Sequence, residues 1–404
     1  MDLSKELEII KRGTDEIIPL DELKKKLEKS HSTGKPLRIK YGIDPTKPDV
    51  HLGHLVPVRK MRHFQDLGHQ GVLIIGDYTA QIGDPSGKDT TREALTHDTV
   101  KKNAEKYIDQ LHTILDPDKT ETHYQTEWFS EMSMLDTILL MARFTFAQMM
   151  AHETFRMRYE NGLPLSLREI IYPVLQAYDS VAIESDVELG GTDQKFNILL
   201  GRELQRQVGQ EPQIAILSPI LIGTDGVNKM GKSLDNYIGV LEPPKEKFGK
   251  VMSVPDSIID NYYEYATDIS VDRLAEIRKQ LKDGSVNPRD LKVELAKLIV
   301  EKFHSKKEAE ACVAEFDKVF SKKELPDEIA EFSVDASLMK DGKVWIVKLI
   351  TESRLAGSSG EARRLIRQGG VKIDGEKITD ENLEFEPKSG SVIQVGKRRF
   401  IKIK

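Results

Sequence analysis

Apolar residues recur every three or four positions at Leu3, Leu7 and Ile10, and again at Leu20, Leu23 and Leu27, which predicts amphipathic helix over residues 1–34. The period changes at Leu37. Leu37-Arg38-Ile39-Lys40-Tyr41-Gly42-Ile43 alternates as a strand does, and Asp44-Pro45-Thr46 stops it. His51 to Gln65 returns to a helical period, and Val72 to Gly76 is the short apolar run of a buried strand. Strand, helix and strand in such close succession make a βαβ unit, the seed of a parallel sheet. A long helical region is expected from Asp98 to Gln176. Within it, Leu135 to Met150 is rich in Leu, Met and Phe and fits either core helix or a subunit interface. Val187-Glu188-Leu189 leads into Gly190-Gly191, a helix from Asp193 to Val208, and an apolar strand from Gln213 to Ile222 cut by Pro219. The alternation predicts an α/β fold with a doubly wound parallel sheet of the nucleotide-binding kind.

Pro243-Pro244 and Pro255 then mark a change to helices, clearest over Leu274 to Leu281 and Leu291 to Phe320. Residues 321–342 read as a linker. The last stretch is a separate small α+β block, with a helix from Ser359 to Arg367 and an Asp374-Gly375 hairpin turn between strands. Three domains are therefore expected, over 1–240, 241–335 and 336–404.

Composition narrows the class. With 404 residues, 39% of them hydrophobic, the chain can build cores without cross-links. Its one cysteine, Cys312, excludes an internal disulfide and a thiolate metal cluster and is expected in a core. The charged N-terminus lacks the apolar segment of a signal peptide, and no apolar run is long enough to span a membrane, so a cytoplasmic, soluble protein is expected. The net charge of -6 argues, as an average, against a phosphate-rich partner. The average hides a segregation: residues 351–404 carry 12 Lys+Arg against 8 Asp+Glu.

Three clusters carry candidate chemistry. His51-Leu52-Gly53-His54 opens a helix, where free amides and the macrodipole attract phosphate and Gly53 admits close backbone approach. A metal pair and two ordinary surface histidines are the alternatives; no third ligand or His-Glu-x-x-His pattern is visible, so no protein-held metal is expected. Lys229-Met230-Gly231-Lys232-Ser233 suits a polyphosphate. Gly226 to Ser233 also satisfies the Walker A spacing, but Gly239 and two prolines follow where a P-loop needs a long helix. Tyr172, Gln176 and Asp179 fall on one helical stripe and present a phenol, an amide and a carboxylate, a set suited to a small polar ligand. Two weaker segments join them: Gly83 to Lys88 at the end of a strand, and Gly190 to Gln194, whose aspartate could bind ribose.

In this order, the motifs resemble the class I aminoacyl-tRNA synthetases, and most closely the bacterial tyrosyl-tRNA synthetase family. His51-Leu52-Gly53-His54 is similar to the first class I signature and Lys229 to Ser233 to the second. The segment from Ser353 to Ile378 resembles an S4-type RNA-binding domain. The resemblance implies a Rossmann-like catalytic domain, then a helical anticodon-recognition domain, then the S4-like domain. It implies ATP-dependent activation of tyrosine, with Mg²⁺ arriving on ATP, transfer to tRNA(Tyr), and a homodimer. By position, Asp84, Tyr172 and Gln176 would hold the α-amino group, Asp179 the phenol, and Gln194 the carboxylate end. Asp193 and Gly191 would meet ribose, with Tyr41, Gly42 and Asp44 nearby, and Leu221 and Ile222 would pack on adenine. Thr46, His51, Gly53 and His54 would hold the ATP phosphates, and Lys229, Lys232 and Ser233 the pyrophosphate, with Lys88 and Arg92 as helpers. Arg363, Arg364, Arg367 and Lys397-Arg398-Arg399 would contact RNA phosphates.

The chain departs from the family at two points. Lys40 stands where a phenol-binding tyrosine is usual, with Tyr41 at the following cysteine position, and Gly231 replaces a common serine. A tryptophan-specific synthetase and a non-catalytic RNA-binding protein on the same scaffold are the competing readings.

Overall fold

A computed structural model describes residues 2–86, 95–318, 329–396 and 399–404. Two compact units emerge, Met1–Ala309 and Glu310–Lys404.

The first unit is built on a six-stranded sheet: β1 (Glu16–Ile18), β2 (Arg38–Ile43), β3 (Gln70–Ile75), β4 (Thr120–Tyr124), β5 (Val187–Gly191) and β6 (Ile214–Ser218). Its spatial order is β1-β6-β5-β2-β3-β4, parallel except for β1, which runs antiparallel to β6. β3 and β6 are buried almost throughout, as strands covered on both faces must be. From β2 the chain winds outward through β3 and β4, then returns to build β5 and β6 on the other side. The topological switch point therefore lies between β2 and β5, where open α/β sheets bind ligands. The ladder joining these two strands has just two rungs, Ile39 to Val187 and Lys40 to Glu188. Past Lys40, β2 follows β3 while β5 follows β6, and a cleft opens.

Three sequence expectations are corrected. Residues 1–34 are two helices, Leu3–Lys11 and Leu20–Thr33, separated at Gly13 (φ 63°) and by β1, a strand too short to impose a period of its own. The helical region expected over Asp98 to Gln176 is interrupted by β4. That strand lies at the sheet edge with every residue partly exposed, so it carries no apolar run. Leu135 to Met150 is not one helix but two short ones, Met134–Met141 and Phe146–Met149, each opened by a capping box, from Ser133 and Thr145. Leu135, Ile138, Leu139 and Phe146 are exposed on them.

Helix Leu167–Ala182 carries the predicted polar stripe and is held firmly at its start. Ser166 caps it together with Glu169, and the fully buried Arg158 binds both Glu169 oxygens, at 2.8 and 3.3 Å, and the Pro164 carbonyl. Pro173 is tolerated inside it.

In the second unit, helix Ser359–Arg367 forms with the predicted bounds. Asp374 and Gly375, both at positive φ, turn the hairpin between β10 (Val371–Ile373) and β11 (Glu376–Ile378). Part of the expected linker is structured: β7 (Ala330–Phe332) pairs with β14 (Arg399–Ile403), and β8 (Met339–Lys340) with β9 (Lys343–Trp345). β13 (Val392–Val395) joins β10 to β14, while β12 (Glu384–Phe385) pairs with β9. Cys312 is buried.

Replacing Arg158 with Ala removes the buried guanidinium that binds both Glu169 oxygens. We expect a loss of about 3–5 kcal/mol in the first unit, read by denaturant unfolding followed through the Trp128 fluorescence of a Trp345→Phe background.

Candidate active site

A cavity of ≈ 380 Å³ fills the cleft at the carboxyl ends of β2 and β5. Its wall brings together nearly every sequence-nominated residue of the first unit: Tyr41, Gly42, Asp44 and Thr46 after β2, His51, Gly53 and His54, then Asp84, the stripe of Tyr172, Gln176 and Asp179, then Gly191, Asp193 and Gln194, with Leu221, Lys229 and Ser233. Ile222 and Lys232 are not on the wall. Ile222 offers its carbonyl to the Tyr262 hydroxyl, and the Lys232 ammonium turns to the Asp49 carbonyl, 3.7 Å from the Asp49 carboxylate. Lys88 and Arg92 lie outside the described residues.

One side of the cavity is cationic and N–H-rich. His51 caps helix Leu52–Asp66, and its ring stacks on His54 with centroids 3.6 Å apart. The His51 amide donates to His54 Nδ1 at 3.3 Å. Gly53 eases the stack, because a Cβ there would crowd His51 Nδ1 at 3.1 Å. Burial, with Lys232 nearby, pushes the His51 imidazole down to about 3, and burial beside His51 lowers His54 as well. Both rings are therefore neutral at pH 7 and act as N–H donors rather than as charges. The positive charge comes from the lysines.

The lysine loop is anchored at both ends. Ile222 bridges Lys229, and Leu52 and Val240 bond to the carbonyls of Ile238 and Val50, zipping the loop's far end to the entry of the histidine helix. Asn236 spans the interior: it accepts from Gly231 N at 2.8 Å and donates to Asp225 at 3.0 Å. Asn228, the Val227 amide and Asn236 hold the Asp225 carboxyl down at about 2. A single 3-10 turn, Lys232–Leu234, follows the loop, so the Walker A spacing is not a P-loop. Lys229 sits 3.6 Å from Asp193, whose carboxyl burial pushes up.

The opposite side is carboxylate-rich and tied by hydrogen bonds. Tyr172 donates to Asp44 at 2.9 Å, and Thr79 donates to the other Asp44 oxygen at 2.6 Å. That approach needs Gly76, where a Cβ would lie 2.2 Å from both partners. Gln194 donates to Asp84 at 2.9 Å, and the buried Asn197 donates to both Gln194 and Gln176. At the closed end, Asp179 accepts from Gln125 at 2.8 Å and from the Trp128 indole at 3.1 Å. Burial pushes its carboxyl up to about 7, against the pull of Lys40 and the Gln125 bond. The sequence reading did not nominate Thr79, Gln125, Trp128, Glu188, Asn197 or Asn236.

In the second unit, the basic positions are partly engaged. Arg367 forms two bonds to Glu381, Arg399 pairs with Glu361, and Arg363 lies 5.2 Å from the Trp345 ring centroid. Arg364 is exposed on the same helix, while Lys397 and Arg398 lie outside the described residues. Among the described residues no group of three or more His, Cys, Asp or Glu could hold a metal ion, and no helix is long and apolar enough to cross a membrane.

Known proteins carry the same architecture. The family described as tRNA synthetases class I (W and Y) matches residues 32–321, and the S4 domain matches residues 344–389. The chain is 50% identical to a tyrosine–tRNA ligase of Carboxydothermus hydrogenoformans, over 100% of this chain and 98% of the relative. It is 48% identical to one of Moorella thermoacetica, over 100% and 96%. Among solved structures, the fold is shared with a tyrosyl-tRNA synthetase of Archaeoglobus fulgidus complexed with L-tyrosine, at TM-score 0.62 and 22% identity, covering 77% of this chain and 100% of that one. With both signatures on one cavity and similarity along its whole length, the chain belongs to the class I tRNA synthetases of the tryptophan and tyrosine family.

Proposed function

We propose that this chain is a tyrosine–tRNA ligase: it activates tyrosine with ATP and transfers it to tRNA(Tyr). The observation that carries the reading is that both signatures and the stripe ending in Asp179 open on one cavity. A tryptophan-specific site is the second reading the family admits. Full-length similarity to tyrosine–tRNA ligases favours tyrosine.

A tyrosine lying along the cavity would place its phenol at Asp179 and its ammonium among Asp84, Tyr172 and Gln176, with Gln194 toward the carboxylate. ATP would lie over Gly191, Asp193 and Leu221, beside Tyr41, Gly42 and Asp44. Its phosphates would reach Thr46, His51, Gly53 and His54, with Lys229, Lys232 and Ser233 on the departing pyrophosphate and Mg²⁺ bound as part of the nucleotide. A tyrosine carboxylate oxygen attacks the α-phosphorus, and the bond to the bridging oxygen of pyrophosphate breaks. The carboxylate is already a nucleophile, so the protein contributes alignment and charge stabilisation rather than proton abstraction. A terminal ribose hydroxyl of the tRNA then displaces AMP from the tyrosyl carbonyl. Phenylalanine would leave the buried Asp179 carboxylate facing no donor from the ligand.

The functional division follows: catalysis over 1–240, anticodon reading over 241–335, and S4-type RNA contact over 336–404 through Arg363, Arg364, Arg367 and Lys397 to Arg399. The exposed apolar residues of Met134–Met141 make a homodimer surface, and a tRNA substrate suits the cytoplasm.

ATP–pyrophosphate exchange across the twenty amino acids tests the activity. We expect exchange with tyrosine alone, and exchange with tryptophan alone would reverse the assignment. Lys232→Ala should slow adenylate formation by about 10²–10³-fold while tyrosine binding stays near that of the parent. Equal weakening of tyrosine binding would contradict a phosphate role. Ile138→Asp should convert a dimer to a monomer in light scattering; a parent that is already monomeric would refute the dimer.

A further inference from the structure

Lys40 is fully buried, and its ammonium makes three contacts: Glu188 Oε1 at 2.9 Å, Ser180 Oγ at 2.8 Å and the Gln176 carbonyl at 2.9 Å. Glu188, 1% exposed, in turn accepts from Gln176 Nε2 at 3.2 Å, Ser180 Oγ at 3.0 Å and Gln213 Nε2. Lys40 and Glu188 are also the last rung of the β2–β5 ladder, at the point where the cleft begins. The pair thus grips helix Leu167–Ala182 on the residues flanking Asp179, from two strands at once. Gln176 is bound through both its backbone carbonyl and its side-chain amide.

We propose that Lys40 and Glu188 form a positioning pair for tyrosine recognition, clamping the helix that carries Gln176 and Asp179 while Lys40 supplies the positive field in which Asp179 meets the phenol. The proposal deepens the ligase reading and rests on it. In this chain, the position where the family usually has a phenol-contacting tyrosine is turned inward, and contact with the phenol falls to Asp179, held by Gln125 and Trp128.

The charged groups acting on Asp179 are Lys40 from β2 and Glu188 from β5. Gln125 and Trp128, from the segment after β4, are neutral, and on its own helix the Tyr172 hydroxyl is committed to Asp44. Lys40 favours the ionised carboxylate and Glu188 opposes it, with Lys40 the stronger influence. Burial raises this carboxyl to about 7, so it is half ionised there, gains its charge as the pH rises past that point and loses it as the pH falls through it. Removing Lys40 moves that transition to higher pH.

The test is tyrosine-dependent ATP–pyrophosphate exchange by the full chain and by Lys40→Met. We expect Lys40→Met to raise KM for tyrosine by about tenfold or more, to leave KM for ATP within about threefold, and to move the acid limb of kcat/KM for tyrosine up by about one pH unit. Lys40→Met leaves Glu188 buried without its cation and can fail to fold. The double variant Lys40→Met/Glu188→Gln holds no lone charge and keeps one amide oxygen as an acceptor within the cluster. A folded double variant with weakened tyrosine KM, a displaced acid limb and unchanged ATP KM supports the proposal. A folded double variant with parental tyrosine KM and pH profile overturns it. Absence of tyrosine-dependent exchange in the parent would overturn the ligase reading and this one with it, whereas a tyrosine-dependent parent with an indifferent double variant overturns this one alone.

Discussion

The ladder between β2 and β5 ends at Lys40 and Glu188, and the arrangement of the cavity follows from that stop. A doubly wound sheet must part at its switch point, but backbone rules do not set how far along the strands the parting begins. Here the last rung carries opposite charges inside the protein. A buried pair of this kind contributes little net stability compared with apolar residues of equal volume. Its value is geometric. Ammonium and carboxylate together bond to Gln176, Ser180 and Gln213, contacts that an apolar rung would remove. The register of the sheet and the rotation of helix Leu167–Ala182 about its axis are thereby set by one cluster.

From that rung the two walls of the cavity acquire opposite characters. The wall along helix Leu167–Ala182 rests on a chain of amides and carboxylates: Asp84, Gln194, Asn197, Gln176 and Glu188 are linked hydrogen bond to hydrogen bond. Such a linked set restrains the orientation of its members, which favours one ligand shape and polarity over others. The facing wall is made of neutral imidazole donors and lysines on a loop pinned by Asn236 and Asp225. Keeping the histidines neutral avoids stacking two cations 3.6 Å apart. The positive charge on this side is left to Lys229 and Lys232. Their present partners, Asp193 and the Asp49 backbone, are contacts a polyanion can outcompete.

How much of this was legible in the chain depended on whether a residue announces itself through a period. The stripe of Tyr172, Gln176 and Asp179 did, because helical spacing places its members on one face and its polarity contrasts with Val174 and Leu175. Helix Ser359–Arg367 and the Asp374-Gly375 turn were legible through apolar spacing and turn chemistry. β1 and β4 were not: one has three residues, and the other is an edge strand with no fully buried side chain. Gln125 and Trp128 follow that edge strand, so the partners of Asp179 lay in a segment read as helix. Lys40 was visible as a departure from the family pattern, yet its partner Glu188 is 148 positions away in an ordinary strand, and a single sequence holds no signal joining them. Asn236 was missed for a similar reason: its role is to satisfy backbone groups of a loop whose shape the sequence did not specify.

Burial decides what an ion pair can do, and the two units show both outcomes. Arg367 with Glu381 and Arg399 with Glu361 have the same chemistry as Lys40 with Glu188, but their arginines are well exposed. In water such pairs are weak and screened by salt, so an incoming phosphate can take the guanidinium while the released carboxylate is hydrated. The excess of Lys+Arg over Asp+Glu in the tail therefore remains available as an attractive field even where its members are paired. Lys40 has no such freedom. Water cannot replace its partners, so its charge is fixed in direction as well as in sign, and it can serve as a constant part of a binding site. The same acidic chain can thus hold an exchangeable basic surface at one end and a permanent internal cation beneath its cavity.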